Sequence, residues 1–103
     1  MEFQIIIYKD GRDDIEAITK WYDLQGVGLG DNFTGRLDET MKRLQKNPTA
    51  FSYLFSDVRK VRLLQFPYII FFKVIQKQVH IFGIIHAKRN PYLIQERFKA
   101  LGL

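Results

Sequence analysis

Eight residues in the second half of the chain carry side chains suited to phosphate chemistry: Arg59, Lys60, Arg62, Tyr68, His86, Lys88, Arg89 and Tyr92. Arginine and lysine can neutralise the charge that builds on a phosphorus centre in a transition state, and a histidine or tyrosine can move the proton. The same set would equally hold a nucleic-acid backbone without reacting with it, or bind an acidic protein. Residue type leaves the three open. Spacing adds one constraint. Side chains alternate along a straight strand, so Arg59 and Arg62 are expected on opposite faces. One of them can then be structural, laying its methylenes over Trp21 or Tyr22 and pairing with a helix carboxylate. Lys60 reads as plain surface.

Other chemistries lack their parts. His80 and His86 are the only histidines, they stand six residues apart, and no acidic residue lies between Asp57 and Glu96. No metal site and no cofactor is expected from such a set. Ser52 and Ser56 have no nucleophile elbow around them. Gly26, Gly28 and Gly30 look like a nucleotide loop, yet they follow a helical pattern rather than a strand and no Lys-Ser or Lys-Thr pair succeeds them. They read as the turn between two helices. Asn32-Phe33-Thr34 fits a glycosylation sequon, but it lies in a helical stretch and is set aside.

The elements that must position the basic cluster follow from periodicity. Phe3 to Tyr8 is a short β-branched and aromatic run, expected as a strand and ended by Asp10-Gly11. Asp13 then suits a helix cap with Glu16 completing a capping box. Ile15, Ile18, Tyr22 and Gln25 set the helical period, and Ala17, Trp21 and Leu24 widen the stripe. A second helix is expected from Leu29–Asp31, with Phe33, Leu37, Met41 and Leu44 on one face and Asn47-Pro48 as its end. After a loop through Phe51 to Asp57, three strands are expected at Val58–Leu64, Tyr68–Ile75 and Gln78–His86. Their short links require antiparallel pairing. Asn90-Pro91 signals a turn, and Tyr92 to Leu101 reads as a terminal helix anchored by Leu93, Phe98 and Leu101. The plan is α+β, β-αα-βββ, with a helical hairpin packed on one face of a small, mainly antiparallel sheet. The strand Tyr68–Ile75 is apolar on both faces, so its second face needs a cover: the C-terminal segment, a second copy or a partner.

Composition sets the frame. The 103 residues are expected to form a single domain, 1–103, and an apolar share of 47% with nine Phe and five Tyr argues against disorder. There is no cysteine, so disulfides and thiolate metal sites are excluded. The N-terminal stretch is charged too soon for a signal peptide, and no apolar run reaches the roughly 18 residues of a membrane span. A cytoplasmic protein without membrane contact is expected. Residues 1–57 hold seven Lys and Arg against ten Asp and Glu, whereas residues 58–103 hold nine against one. Such segregation suits a polyanion or an acidic partner.

In order and spacing, several of these pieces together resemble the RelE/ParE superfamily of toxins from type II toxin–antitoxin modules, on the ParE-like (plasmid stabilisation) side. They are Asp14-Ile15 and Trp21-Tyr22, Leu29-Gly30-Asp31-Asn32-Phe33, Asn47-Pro48, Arg59 and Arg62, Phe66-Pro67-Tyr68, and His86 through Pro91. The resemblance covers roughly residues 3 to 92. It implies structural roles for Trp21, Tyr22, Phe33, Phe66, Pro67 and Tyr68, and contacts with a target or partner through Arg59, Arg62, His86, Lys88 and Arg89. It also implies a cognate antitoxin that docks an acidic, apolar C-terminal segment, and leaves open a homodimer or a toxin–antitoxin hetero-oligomer.

The resemblance offers two targets. RelE-like members cut mRNA on the ribosome without metal, and in that case His86, Arg59, Arg62, Arg89 and Tyr92 would form the catalytic set. ParE-like members act as growth inhibitors by poisoning DNA gyrase through binding. Here Ala87 follows His86, where some RNA-cleaving relatives carry a His-Tyr pair, and no tyrosine lies beyond Tyr92. The departures favour a non-enzymatic gyrase inhibitor. A non-toxic protein-interaction module is the third reading.

Overall fold

The computed structural model describes residues 2–89 and 92–102. Its order is β1 (Gln4–Ile7), α1 (Lys9–Gln25), α2 (Leu29–Lys46), a single 3-10 turn (Pro48–Ala50), β2 (Tyr53–Phe55), β3 (Val58–Arg62), β4 (Tyr68–Ile75), β5 (Gln78–His86) and α3 (Tyr92–Ala100). The turn expected at Asn90-Pro91 and the side chain of Tyr92 lie outside the described residues.

One five-stranded sheet runs β1-β5-β4-β3-β2. Consecutive strands β2 to β5 pair antiparallel, as their short links require. Only β1 pairs parallel, with Gln4 opposite Gln78 and Ile7 opposite Ile81. The α1–α2 hairpin supplies the long crossover that a parallel pair needs.

The hairpin covers one face through α2. Phe33, Leu37 and Leu44 bury against Val61, Ile70, Phe72, Val79 and Ile81. From α1, Ile15, Ile18 and Tyr22 pack onto the same core, half-buried. Trp21 and Leu24 do not widen that stripe; they are 53% and 84% exposed. The second face is covered by the chain's own C-terminal helix: Ile94 and Phe98 of α3 bury with Val58, Phe71 and Phe82. Of the anchors expected there, Phe98 holds, but Leu93 and Leu101 are exposed and Ile94 takes the inner position. Helical spacing explains the substitution, since Ile94 and Phe98 stand four apart on one face.

A bulge in β5 lets both cores be filled. Phe71 pairs with Gly83 and Phe72 with Ile81, so Phe82 has no partner on β4. The extra residue flips the parity: Val79, Ile81 and Ile84 face the hairpin core, while Phe82 and Ile85 face α3.

Three boundaries differ from the sequence pattern. α1 begins at Lys9 behind an extended Tyr8 with no side-chain cap, so Asp10 and Gly11 belong to its first turn. Asp13 is inside the helix, where it pairs with Lys9 at 2.8 Å rather than capping. Within the expected loop lies β2, three residues joined to β3 through a tight turn at Ser56-Asp57, with Tyr53 opposite Arg59. β3 itself ends at Arg62, two residues short of Leu64. Between the helices, Gly28 adopts φ +82°, a left-handed conformation that costs glycine little.

Candidate functional site

The C-terminal end of β5 emerges between α1 and α3, and the three elements enclose a pocket of about 550 Å³. Ala17, Ile18 and Trp21 of α1 form one wall, Leu93 and Arg97 of α3 another, and Tyr68, Ile84, Ile85, His86 and Arg89 the rest, with Asp14 at the base. Along β5, ladder alternation sends the amide of Ile84 away from β4, and the Asp14 carboxylate accepts it at 2.9 Å. The same alternation aims the amide of His86 toward the pocket side.

Arg97 donates to both oxygens of Asp14, through Nη1 to Oδ2 and through Nη2 to Oδ1 at 3.3 Å. Asp10 lies 3.8 Å from Arg97 Nε. One carboxylate on α1 thus holds the sheet edge and α3 together. Gly83 sits directly beneath this contact: a Cβ there would lie 2.6 Å from Phe71 Cζ and 2.9 Å from Asp14 Oδ2. Any larger residue would collide with the latch.

The functional groups of the pocket are mostly donors. His86 Nδ1 accepts the Lys88 amide at 3.1 Å, which leaves the neutral imidazole its proton on Nε2. The tautomer follows from that hydrogen bond. Tyr68 stacks edge-on to His86, with ring centroids 5.5 Å apart. Burial, and secondarily its neighbour Tyr22, raises the Tyr68 phenol above the usual tyrosine value, while Arg89 pulls the other way. Tyr68 therefore stays protonated at neutral pH. Arg89 is exposed on the rim, and its amide donates to the His86 carbonyl at 2.9 Å. The chemistry is that of a cationic rim over an apolar wall: it suits an anion, or an acidic segment with apolar side chains.

The structure brings His86 and Arg89 to this rim, joins Lys88 to it through its backbone amide alone, and takes Arg59 and Arg62 elsewhere. Register places Arg59 opposite Phe72 and Arg62 opposite Ile69, on opposite faces of the sheet. Arg59 is occupied within the chain, though by neither Trp21 nor Tyr22. Its guanidinium donates to the carbonyls of Thr49 (3.1 Å) and Phe51 (2.6 Å) and to the Tyr53 hydroxyl (2.7 Å), and stacks on the Tyr53 ring at 4.0 Å. It braces the connection from α2 to β2. Arg62 and Lys60 line a separate groove with Arg43.

Among the residues expected to be structural, Tyr22, Phe33, Phe66 and Tyr68 form one aromatic cluster with neighbouring centroids 5.1–6.3 Å apart. The Pro67 carbonyl accepts the Ala87 amide at 2.7 Å. Trp21 stands apart from that cluster's buried side, half-exposed at the pocket mouth. Asp14, Leu93 and Arg97 line the pocket without a site role from sequence reasoning, in which Asp14 is only a piece of the resemblance and Leu93 only a helix anchor. Among the described residues no three His, Cys, Asp or Glu side chains gather as metal ligands. No described helix is long and apolar enough to cross a membrane.

The architecture is an α+β fold shared with solved RelE and ParE toxins. A chain of the chromosomal ParDE toxin–antitoxin system from P. aeruginosa superposes with a TM-score of 0.69 at 20% identity, over 82% of this chain and 95% of that one. A RelE mutant from E. coli in the free state gives 0.62 at 15% identity over 97% and 98%. A chain of the intact E. coli RelBE toxin–antitoxin complex gives 0.55 at 16% over 84% and 99%. No curated protein sequence matches the chain significantly. The family model for the ParE toxin of the type II toxin–antitoxin system parDE matches residues 5–91, and the chain belongs to that family. It is a type II toxin of the RelE/ParE superfamily, whose members form complexes with antitoxins.

Proposed function

We propose that this chain acts by binding and stalling DNA gyrase, and that a cognate antitoxin with an acidic, apolar C-terminal segment neutralises it. The observation that carries the first part is the pocket's make-up. His86 has its acceptor nitrogen occupied by the Lys88 amide, and Asp14 is engaged by Arg97 and Ile84. Arg59 is tied to its own loop and Arg62 faces the other side of the sheet. Such a set supports recognition more than base catalysis, because a general base needs a free acceptor within reach of the substrate proton. Membership of the ParE family supports the same reading.

The test is a supercoiling assay with purified protein and a cognate gyrase. Inhibition with accumulation of cleaved DNA is expected, and Arg89→Glu should raise the inhibitory concentration about tenfold, the equivalent of ~1.4 kcal/mol. No effect at micromolar protein would reject the gyrase reading. Growth arrest on expression, relieved by co-expression of a small acidic-tailed protein encoded beside this chain, is the expected outcome for the antitoxin.

A second reading, ribosome-dependent mRNA cleavage, draws on the His86 Nε2–H and Arg89 donors sharing one rim, which suit a scissile phosphate. Codon-positioned cuts lost in His86→Ala would establish it; intact transcripts during growth arrest would exclude it.

A further inference from the structure

The pocket at the C-terminal end of β5 lies against a stretch of sheet edge that β1 leaves bare. β1 ends with Ile7 opposite Ile81, so from Ile84 to His86 no described strand pairs on that side. Ladder alternation turns the amides of Ile84 and His86 the same way, out from β4. Asp14 accepts the first. The second has no hydrogen-bond partner among the described residues, although every main-chain N–H needs one. The same residue brings another donor: Nε2 carries the imidazole proton because Nδ1 accepts the Lys88 amide.

Charge in the lining does not cancel. Asp14 is its one acidic residue, and Arg97 takes it with two hydrogen bonds. Asp10 approaches Arg97 at 3.8 Å from outside the lining, half-exposed to water. Arg89 forms no ion pair among the described residues. One positive charge is therefore left over at the rim. Below it the walls are apolar. Trp21 on α1 and Leu93 on α3 stand on opposite sides, each about half-exposed, with the less exposed Ile18 and Ile85 between them. Large apolar side chains left open around one cavity mark a binding site more often than plain surface. The volume, about 550 Å³, is that of a small-molecule site.

We infer that this pocket binds a small aromatic carboxylate. The ring lies between Trp21 and Leu93, offset against the indole face. The carboxylate accepts the His86 amide and Nε2–H and pairs with Arg89 at the rim, all through charge-assisted hydrogen bonds. Two other ligand classes fit less well. A mononucleotide brings a phosphate of nearly two charges to a site with one cation to spare. An uncharged aromatic fills the walls but leaves the His86 amide unmatched and its water displaced. Arg89 is also the residue on which the gyrase reading is tested, so a seated ligand takes that contact from a partner. The inference itself concerns binding of a free small molecule and needs neither gyrase nor toxicity.

Naphthoate, titrated into the purified, isotope-labelled full chain and followed by NMR, tests it. The chain has a single tryptophan, so one indole N–H signal reports the ring while the His86 amide reports the carboxylate. Saturable shifts of both are expected. Naphthalenemethanol, the same ring without the charge, should bind about tenfold more weakly or worse. Arg89→Gln and Trp21→Ala should each weaken naphthoate binding about tenfold. Circular dichroism should stay unchanged in both, since both side chains are exposed. The comparison of acid with alcohol uses the parent chain alone, so it decides the matter even if a variant misfolds. The inference is overturned if millimolar naphthoate gives no saturable shift, or if the alcohol binds as well as the acid. It is overturned too if adenosine monophosphate binds more tightly than naphthoate, or if the shifts centre on Arg43 and Arg62 instead.

Discussion

Arg59 and Arg62 are three positions apart and do unlike work. Arg59 spends its donors on Thr49, Phe51 and Tyr53, so replacing it with Met leaves two loop carbonyls without their partner. Arg59→Met is expected to cost about 1–3 kcal/mol in urea unfolding and to speed proteolysis between Thr49 and Tyr53. Arg62→Ala, at an exposed position without such contacts, should stay within about 0.5 kcal/mol of the parent. Equal losses in the two variants would contradict the assignment. Tyr68 gives a pH signature. Its folded-state value lies above the ordinary 10.0, with burial as the main cause. The unfolded chain therefore loses this proton first as pH rises. The contribution of Tyr68 is intact below about pH 10 and declines as pH climbs through the folded value. Absorbance titration near 295 nm should show one tyrosine ionising later than the others, and Tyr68→Phe should remove that late step.

At the scale of elements, the β-αα-βββ plan was legible because each segment announces its period. Phe33, Leu37 and Leu44 repeat on a helix face, and the runs after Val58 do not. Four features were not legible locally. β2 is too short to display alternation, and its pairing with Arg59 is decided by β3. The start of α1 was misplaced because Asp13 and Glu16 imitate a capping box, while Tyr8, an unremarkable residue, enters the helix from an extended strand. The pocket's central contact joins Asp14 to Arg97 across 83 positions, and nothing near either residue indicates the other. His86 and Arg89 come together because they are near neighbours in sequence; Arg62 joins them in the sequence only by charge and by the resemblance. The bulge at Phe82 was equally hidden, yet it brings Gly83 under the latch. Gly83→Ala places a methyl against Phe71 and Asp14 and should cost about 1–3 kcal/mol. Because the strain falls on the contact between α1, β5 and α3, amides of α3 should lose protection more than those of α2. Uniform loss across both helices would place the strain elsewhere.

The whole molecule is three layers of unequal strength. Among the described residues, ten buried apolar side chains lie between hairpin and sheet, fed by two long helices, and five lie between sheet and α3, a helix of nine residues. Short helices owe their stability to tertiary packing rather than propensity, and among its described side chains α3 has two buried anchors, Ile94 and Phe98, plus the Arg97–Asp14 contact. Local opening follows the number and burial of such contacts. Native-state hydrogen exchange should therefore find α3 opening as a unit at a free energy below that of global unfolding, with β4, β5 and α2 exchanging only near the global limit. Arg97→Met separates this from a general loss of stability. It removes the charged tether, leaves Asp14 with the Ile84 amide alone, and should lower protection in α3 by about tenfold or more, the equivalent of ~1.4 kcal/mol, while β4 amides change far less. Phe98→Ala acts on both, because it also uncovers Phe71 and Phe82; truncations of this size cost about 3–5 kcal/mol. If α3 exchanges with the sheet in the parent protein, the two cores form one cooperative unit, and the pocket beneath α3 opens only when the whole chain unfolds.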